Sequence, residues 1–343
     1  MAIVEGRTPP PQPSPTRGER VDDQPASQPT VDLHVEIGVN AKLPLVMKNP
    51  VMVASGTFGY GVEYARIIDI ERLGAICSKG ITDRPRRGNR GPRIVETPAG
   101  MLNAIGLQNI GIDKVIRQKA PIWARWGVPV VVNIAGDTVE EFAYMASRLE
   151  GVPGVAGIEL NISCPNVWEG GRVVGEDAST VAAITDAVRV RTGLPIIVKL
   201  SPQVADLHGV AHAAEDSGAD AISLINTFVG MVIDIRTATP VLSNVTGGLS
   251  GPAIRPLAVW LTYSVSQVVS IPVIGLGGIA TVEDAVEFIE AGAAAVQVGT
   301  ATFADPTTAV RIADELPAAL ARLGATSLAD VVGRAHPARR ARG

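Results

Sequence analysis

The sequence predicts a (β/α)8 barrel, an α/β fold of the TIM type. Three observations carry that expectation. Eight short apolar runs alternate with amphipathic helical stretches. Several of the runs are apolar at nearly every residue, as strands of a parallel sheet buried on both faces must be. Polar residues recur at their C-terminal ends, which in a barrel converge on one face. The runs are 51–54, 75–78, 128–134, 157–162, 195–200, 221–225, 272–275 and 294–298. Helical periodicity falls between them, at 138–149, 178–191, 204–216, 258–269 and 282–291. Eight units in about 280 residues suit a barrel. A doubly wound open sheet is the alternative.

The bulk composition agrees. A chain of 343 residues, 46% hydrophobic and 19% charged, can bury one large core. Its net charge of −4 gives no general pull toward nucleic acid or anionic lipid. Two cysteines, Cys77 and Cys164, cannot build a disulfide framework. They are also too few for an iron–sulfur cluster, which takes about four ligands. A reducing, cytoplasmic setting is expected. No apolar run reaches the roughly 18 residues of a membrane span.

In chain order, residues 1–30 are a Pro-rich tail, with Pro9, Pro10, Pro11, Pro13, Pro15, Pro25 and Pro29 among Arg, Ser, Gln and Asp. This segment is expected to be disordered, since it has too little apolar surface to bury. It lacks the apolar centre of a secretory signal, and its prolines forbid a membrane-anchoring helix. The barrel domain is expected over 31–324 and a basic tail over 325–343, where Arg334, Arg339, Arg340 and Arg342 gather.

The strand ends carry Ser55, Lys79, Asn133, Asn161, Lys199 and Asn226. A Lys at the tip of a buried strand is seldom structural, because an unpartnered buried ammonium is costly. Lys79 and Lys199 therefore read as fixed positive charges beside an electron-rich ligand. Asn103, Asn109, Asn133, Asn161, Asn166 and Asn226 add amides that donate and accept at once, the mixed pattern pyrimidine-like rings need. Two long segments, 80–111 and 228–252, follow the second and sixth strands and are expected to shape the pocket. After the last two strands come Gly275-Leu276-Gly277-Gly278 and Gly299-Thr300. Paired glycine turns in those two loops point to a phosphate-bearing ligand held by backbone N–H groups.

The densest cluster is Asn161-Ile162-Ser163-Cys164-Pro165-Asn166, directly after the fourth run. Cys77 lies within a strand and reads as a small buried hydrophobe. Cys164 instead lies in a polar loop, where a thiol of reference pKa about 8.5 can serve as a base. No dinucleotide fingerprint, P-loop, HExxH or CxxC spacing is present.

On these residues the chain resembles the catalytic subunits of class 1B dihydroorotate dehydrogenases. The likeness runs from Leu33 to Leu316. It is carried by Ala54-Ser55-Gly56-Thr57-Phe58-Gly59, by the run from Met101 to Asn109 and by the Cys164 cluster. Val198-Lys199-Leu200-Ser201-Pro202, Ile225-Asn226-Thr227 and Gly247-Gly248-Leu249-Ser250-Gly251-Pro252 continue it, ending on Gly277-Gly278 and Val298-Gly299-Thr300. The membrane-bound class has Ser in place of Cys164 and an N-terminal quinone-binding helical pair that the Pro-rich tail cannot form.

The resemblance implies FMN, held by Ser55, Lys79, Gly80, Asn133, Asn161, Lys199, Ile225, Gly251, Gly277, Gly278, Gly299 and Thr300. It implies a substrate, dihydroorotate, held by Lys79, Asn103, Ala104, Ile105, Gly106, Leu107, Asn161, Asn226 and Thr227. Cys164 matches the base that takes the proton from carbon 5 while a hydride leaves carbon 6 for the flavin. Lys199 would stabilise charge on the reduced flavin. The resemblance also implies a partner subunit with FAD and an iron–sulfur cluster that passes electrons to NAD, with two copies of each chain. Two other readings compete: a fumarate-using class 1A enzyme, within the same chemistry, and a tRNA-dihydrouridine-synthase-like flavin barrel. The net charge of −4 argues against the second.

Overall fold

A computed structural model describes residues 31–162, 168–169, 172–173 and 177–337. Eight parallel strands close into a barrel. They are β1 (Val51–Val53), β2 (Ala75–Cys77), β3 (Val130–Ile134), β4 (Gly157–Asn161), β5 (Ile196–Lys199), β6 (Ala221–Leu224), β7 (Val273–Leu276) and β8 (Ala293–Val298). Each falls within two residues of an expected run at either end. All but two of their residues are buried, which is why the runs show no alternation in sequence.

Helices Val139–Leu149, Ala178–Arg189, Leu207–Asp216, Arg255–Val265 and Val282–Glu290 cover the outside. Their starts follow from capping chemistry. Thr138 accepts from Glu141 N–H, and Thr281 with Asp284 forms a reciprocal capping box. The helix Thr308–Arg322 is not among the expected elements, because Pro317 stands inside it and reads as a breaker. Its buried stripe, Ala309, Ile312, Ala313, Leu316 and Leu320, holds it against the barrel.

Two findings change the expected layout. The long segments are not plain loops. Ile94–Thr97, Gly100–Asn103, Phe228–Gly230 and Gly247–Ser250 pair into a four-stranded antiparallel sheet beside the mouth. The chain also stays packed past residue 324. Leu328 and Val331 are buried, Asp32 bridges to Ser327, and His336 packs edge-on against Tyr263 at 5.0 Å. Reading the end by its arginines hid this apolar pair. At the foot of the barrel, Val35–Ile37 and Leu45–Met47 form a hairpin whose inward residues join the core.

Strand register sets what the interior contains. Residues paired across parallel strands face the same side, and side chains alternate along each strand. The pairs Cys77↔Val131, Asn133↔Glu159, Asn161↔Lys199, Lys199↔Ser223, Leu276↔Gln297 and Gln297↔Met52 therefore share one face right around the barrel. That face is the interior.

Candidate active site

At the C-terminal ends of the strands lies a cavity of about 510 Å3. That volume suits a small-molecule or cofactor site. Its lining combines strand tips, the antiparallel sheet and the two glycine turns. Ser55, Lys79, Gly80, Asn133, Asn161, Lys199, Ile225, Gly251, Gly277, Gly278, Gly299 and Thr300 all line it. So do Asn103, Ala104, Ile105, Gly106, Leu107, Asn226 and Thr227. Cys164, with Ser163, Pro165 and Asn166, lies outside the described residues.

Among the described asparagines singled out, Asn109 is the exception. Its amide donates to Thr82 Oγ1 at 2.9 Å and to Leu107 O at 2.7 Å. Its Oδ1 accepts from Gly111 N at 2.8 Å. The residue braces the long loop and does not line the cavity.

The glycine turns form one end of the cavity. Gly277 and Gly278 have φ of 131° and 84°, and Gly251 has 100°. Such values favour glycine. A Cβ added at Gly278 would sit 2.8 Å from Gly251 O, so the 277–278 turn lies at backbone distance from Gly251. Thr300 Oγ1 donates to Ser250 Oγ at 2.8 Å across the same end. Elsewhere in the lining, Asn226 Nδ2 donates to Asn161 Oδ1 at 3.4 Å, and Asn103 Nδ2 to Gly248 O at 3.4 Å.

Lys199 is buried at the tip of β5. Lys79 is partly buried; burial and the nearby Arg93 push its ammonium below the ordinary pKa, against the pull of Glu63. Two buried amide oxygens, Asn133 Oδ1 and Gln297 Oε1, have no hydrogen-bond partner among the described residues. Orphaned acceptors of this kind are rare and mark places where something else completes the bonding. A cationic centre, unsatisfied acceptors and a bare-backbone cradle fit a flavin nucleotide with a phosphate at the glycine end.

The sequence reading missed what lies beneath. Glu159 is fully buried inside β4. It accepts from Asn133 Nδ2 at 2.7 Å, Gln297 Nε2 at 2.9 Å, Ser223 Oγ at 3.0 Å and Cys77 Sγ at 3.2 Å. Lys199 Nζ stands 4.0 Å from it. Burial alone would raise the pKa of this carboxyl. Lys199 and the hydrogen bonds outweigh that and hold it below its ordinary value. Burial and the adjacent Glu159 push the Cys77 thiol well up, so it remains S–H and donates. Parity could have placed Gln297 and Glu159 on the inward face, though not named their partners. Each lies two residues before a predicted site residue, Gly299 and Asn161, and therefore on the same face.

Among known proteins, the dihydroorotate dehydrogenase family profile matches residues 41–320. The chain is 54% identical over 287 residues to a protein of Geobacter sp. (strain M21), covering 84% of this chain and 94% of that one. It is 53% identical over 289 residues to one of Pelobacter propionicus, covering 84% and 95%. It is 52% identical over 292 residues to one of Desulforudis audaxviator, covering 85% and 95%. All three bear the name dihydroorotate dehydrogenase B (NAD(+)), catalytic subunit.

Proposed function

The chain belongs to the dihydroorotate dehydrogenase family, and from that premise we propose that it oxidises dihydroorotate to orotate in pyrimidine biosynthesis, as the catalytic subunit of an NAD-linked enzyme. The observation that carries this reading is the meeting, at one strand-end cavity, of two lysines, a set of asparagines and paired glycine turns.

The family is flavin-dependent, and we take the flavin here to be FMN. The glycine turns at 277–278 and 299–300 would hold its phosphate, with Ser55, Gly80, Ile225 and Gly251 along its length. Lys199 and Asn133 would meet its polar ring. FMN, when bound, supplies the acceptor for the hydride that leaves carbon 6 of the substrate.

The remaining work falls to the chain's own residues. Asn103, Asn161, Asn226 and Thr227 line the cavity and would hold the substrate ring and carboxylate, fixing orientation before reaction. The run from Ala104 to Leu107 walls the substrate side, and Lys79 adds a cation there. Cys164 is the base: its thiolate takes the proton from carbon 5. Lys199 is the fixed cation that favours negative charge nearby without reorganising.

The electrons must then leave. With two cysteines the chain lacks the ligands for an iron–sulfur cluster, so we assign that step to a partner subunit carrying FAD and such a cluster, two copies of each chain per assembly. Among the described residues no helix is long and apolar enough to cross a membrane. A cytoplasmic setting is proposed from the cysteine usage.

The test is anaerobic. Purified chain loaded with FMN should bleach on addition of dihydroorotate and recover colour with a dye, but barely reduce NAD. Absence of bleaching refutes the activity. Brisk NAD reduction by the chain alone refutes the partner.

A further inference from the structure

Glu159 is the most completely buried carboxylate near the site, and it touches neither solvent nor open cavity. A carboxylate can only accept. Both Asn133 and Gln297 must therefore turn their NH2 groups toward it, which aims their carbonyl oxygens elsewhere. Those two oxygens are the ones left without a partner. The same carboxylate stands 4.0 Å from Lys199, close enough to act as its counter-charge and too far to accept a hydrogen bond from it. The ammonium's protons are thus not consumed by the pair.

We infer that Glu159 is the positioning residue of this cavity. One buried anion sets the orientation of two amides and balances one cation, and so dictates the pattern of acceptors and positive charge offered to the ligand. Gln297 follows as a further ligand-binding residue. The pattern matches an imide edge, in which an N–H lies between two carbonyl groups: the amide oxygens suit the N–H, and the cation suits a carbonyl that gains negative charge on reduction. This inference rests on the flavin reading above.

Glu159→Gln separates positioning from packing. The replacement is nearly isosteric, yet a carboxamide accepts at one atom and donates at the other. Either Asn133 or Gln297 must then turn over or lose its partner. The site also becomes one unit more positive beside Lys199. The variant should bind oxidised FMN at least tenfold more weakly, by fluorescence titration of the apoprotein. Reduced FMN should lose less affinity than oxidised FMN, by a further factor of about ten. For a two-electron couple that ratio is an upward shift of about 30 mV in midpoint potential, read by dye equilibration.

A merely structural residue would weaken both redox forms alike and leave the potential unmoved, which overturns the inference. If Glu159→Gln fails to fold, Gln297→Met decides. It preserves the anion and the approximate volume but removes one acceptor, and FMN affinity should fall at least fivefold. Unchanged affinity there overturns the inference. Failure of the wild-type chain to take up FMN at all would instead remove the flavin reading, and this inference with it.

Discussion

At the foot of the barrel, Arg189 reaches Asp220 at 2.8 Å; at the mouth, Lys199 stops 4.0 Å short of Glu159. Both carboxylates are fully buried. The lower pair is closed on itself. Asp220 also accepts from Ile196 N at 2.8 Å and Asn40 N at 2.6 Å. Arg189 donates as well to Thr192 O at 2.7 Å and Leu194 O at 2.6 Å. The chain itself uses up this bonding capacity, so the pair ties the start of β6 to a helix end, a strand start and the hairpin at the foot. The upper pair leaves a cation beyond hydrogen-bonding reach of its carboxylate and two amide oxygens unanswered. Two networks of like chemistry thus differ in completeness. Buried polar groups without partners are costly, so an incomplete network implies a missing participant.

The sharpest way to break this comparison is at the mouth. Cys164→Ser should slow bleaching of the bound flavin by dihydroorotate about 10²–10⁴-fold near neutral pH, with orotate binding retained. Stopped-flow absorbance checks this, and an unchanged rate removes Cys164 as the base. Lys199→Met should cost about 10²–10³ in kcat/KM, the scale of one lost electrostatic contact. Denaturant unfolding should show this variant less destabilised than one made at the foot, because Glu159 retains four other donors.

Asp220→Ala should do the reverse. Removing one partner of a buried pair costs about 3–5 kcal/mol of stability, measurable by urea titration. Turnover per folded molecule should stay unchanged, and a drop there would erase the distinction between the two ends.

The smallest effect sits nearby on the surface. Lys42, Thr192 and Gly193 N–H hold the Glu150 carboxyl at about 2. Its folded value lies below its unfolded one, so the contribution is present above about pH 4.5 and fades as pH falls toward 2. Glu150→Gln should lose about 1 kcal/mol or less at pH 7, since the group is partly solvated. Its stability curve should merge with that of the wild type at the acid end. Curves that run parallel down to pH 2 would show that the carboxylate contributes no ionic stabilisation.

How far the sequence could be read depended on where each signal lay. Strands buried on both faces announce themselves, and all eight were legible as apolar runs. Lys199 and Asn161 were legible because a polar group at a strand tip interrupts such a run. Glu159 was not, because it sits inside the run and its four partners come from four other strands, a relation only register discloses. The four-stranded sheet was hidden for a similar reason: its strands come from segments separated by more than a hundred residues. The packed end at Leu328 and Val331 was masked by the arginines that follow.

The bridge between Asp32 and Ser327 lies at the foot, beside the hairpin and the far end of the Thr308–Arg322 helix. The two stretches hold each other through Asp32 N–H to Thr326 O at 2.9 Å and Leu328 N–H to Asp32 O at 2.7 Å. Each supplies the other's backbone partners, so a change that unseats one should loosen the other.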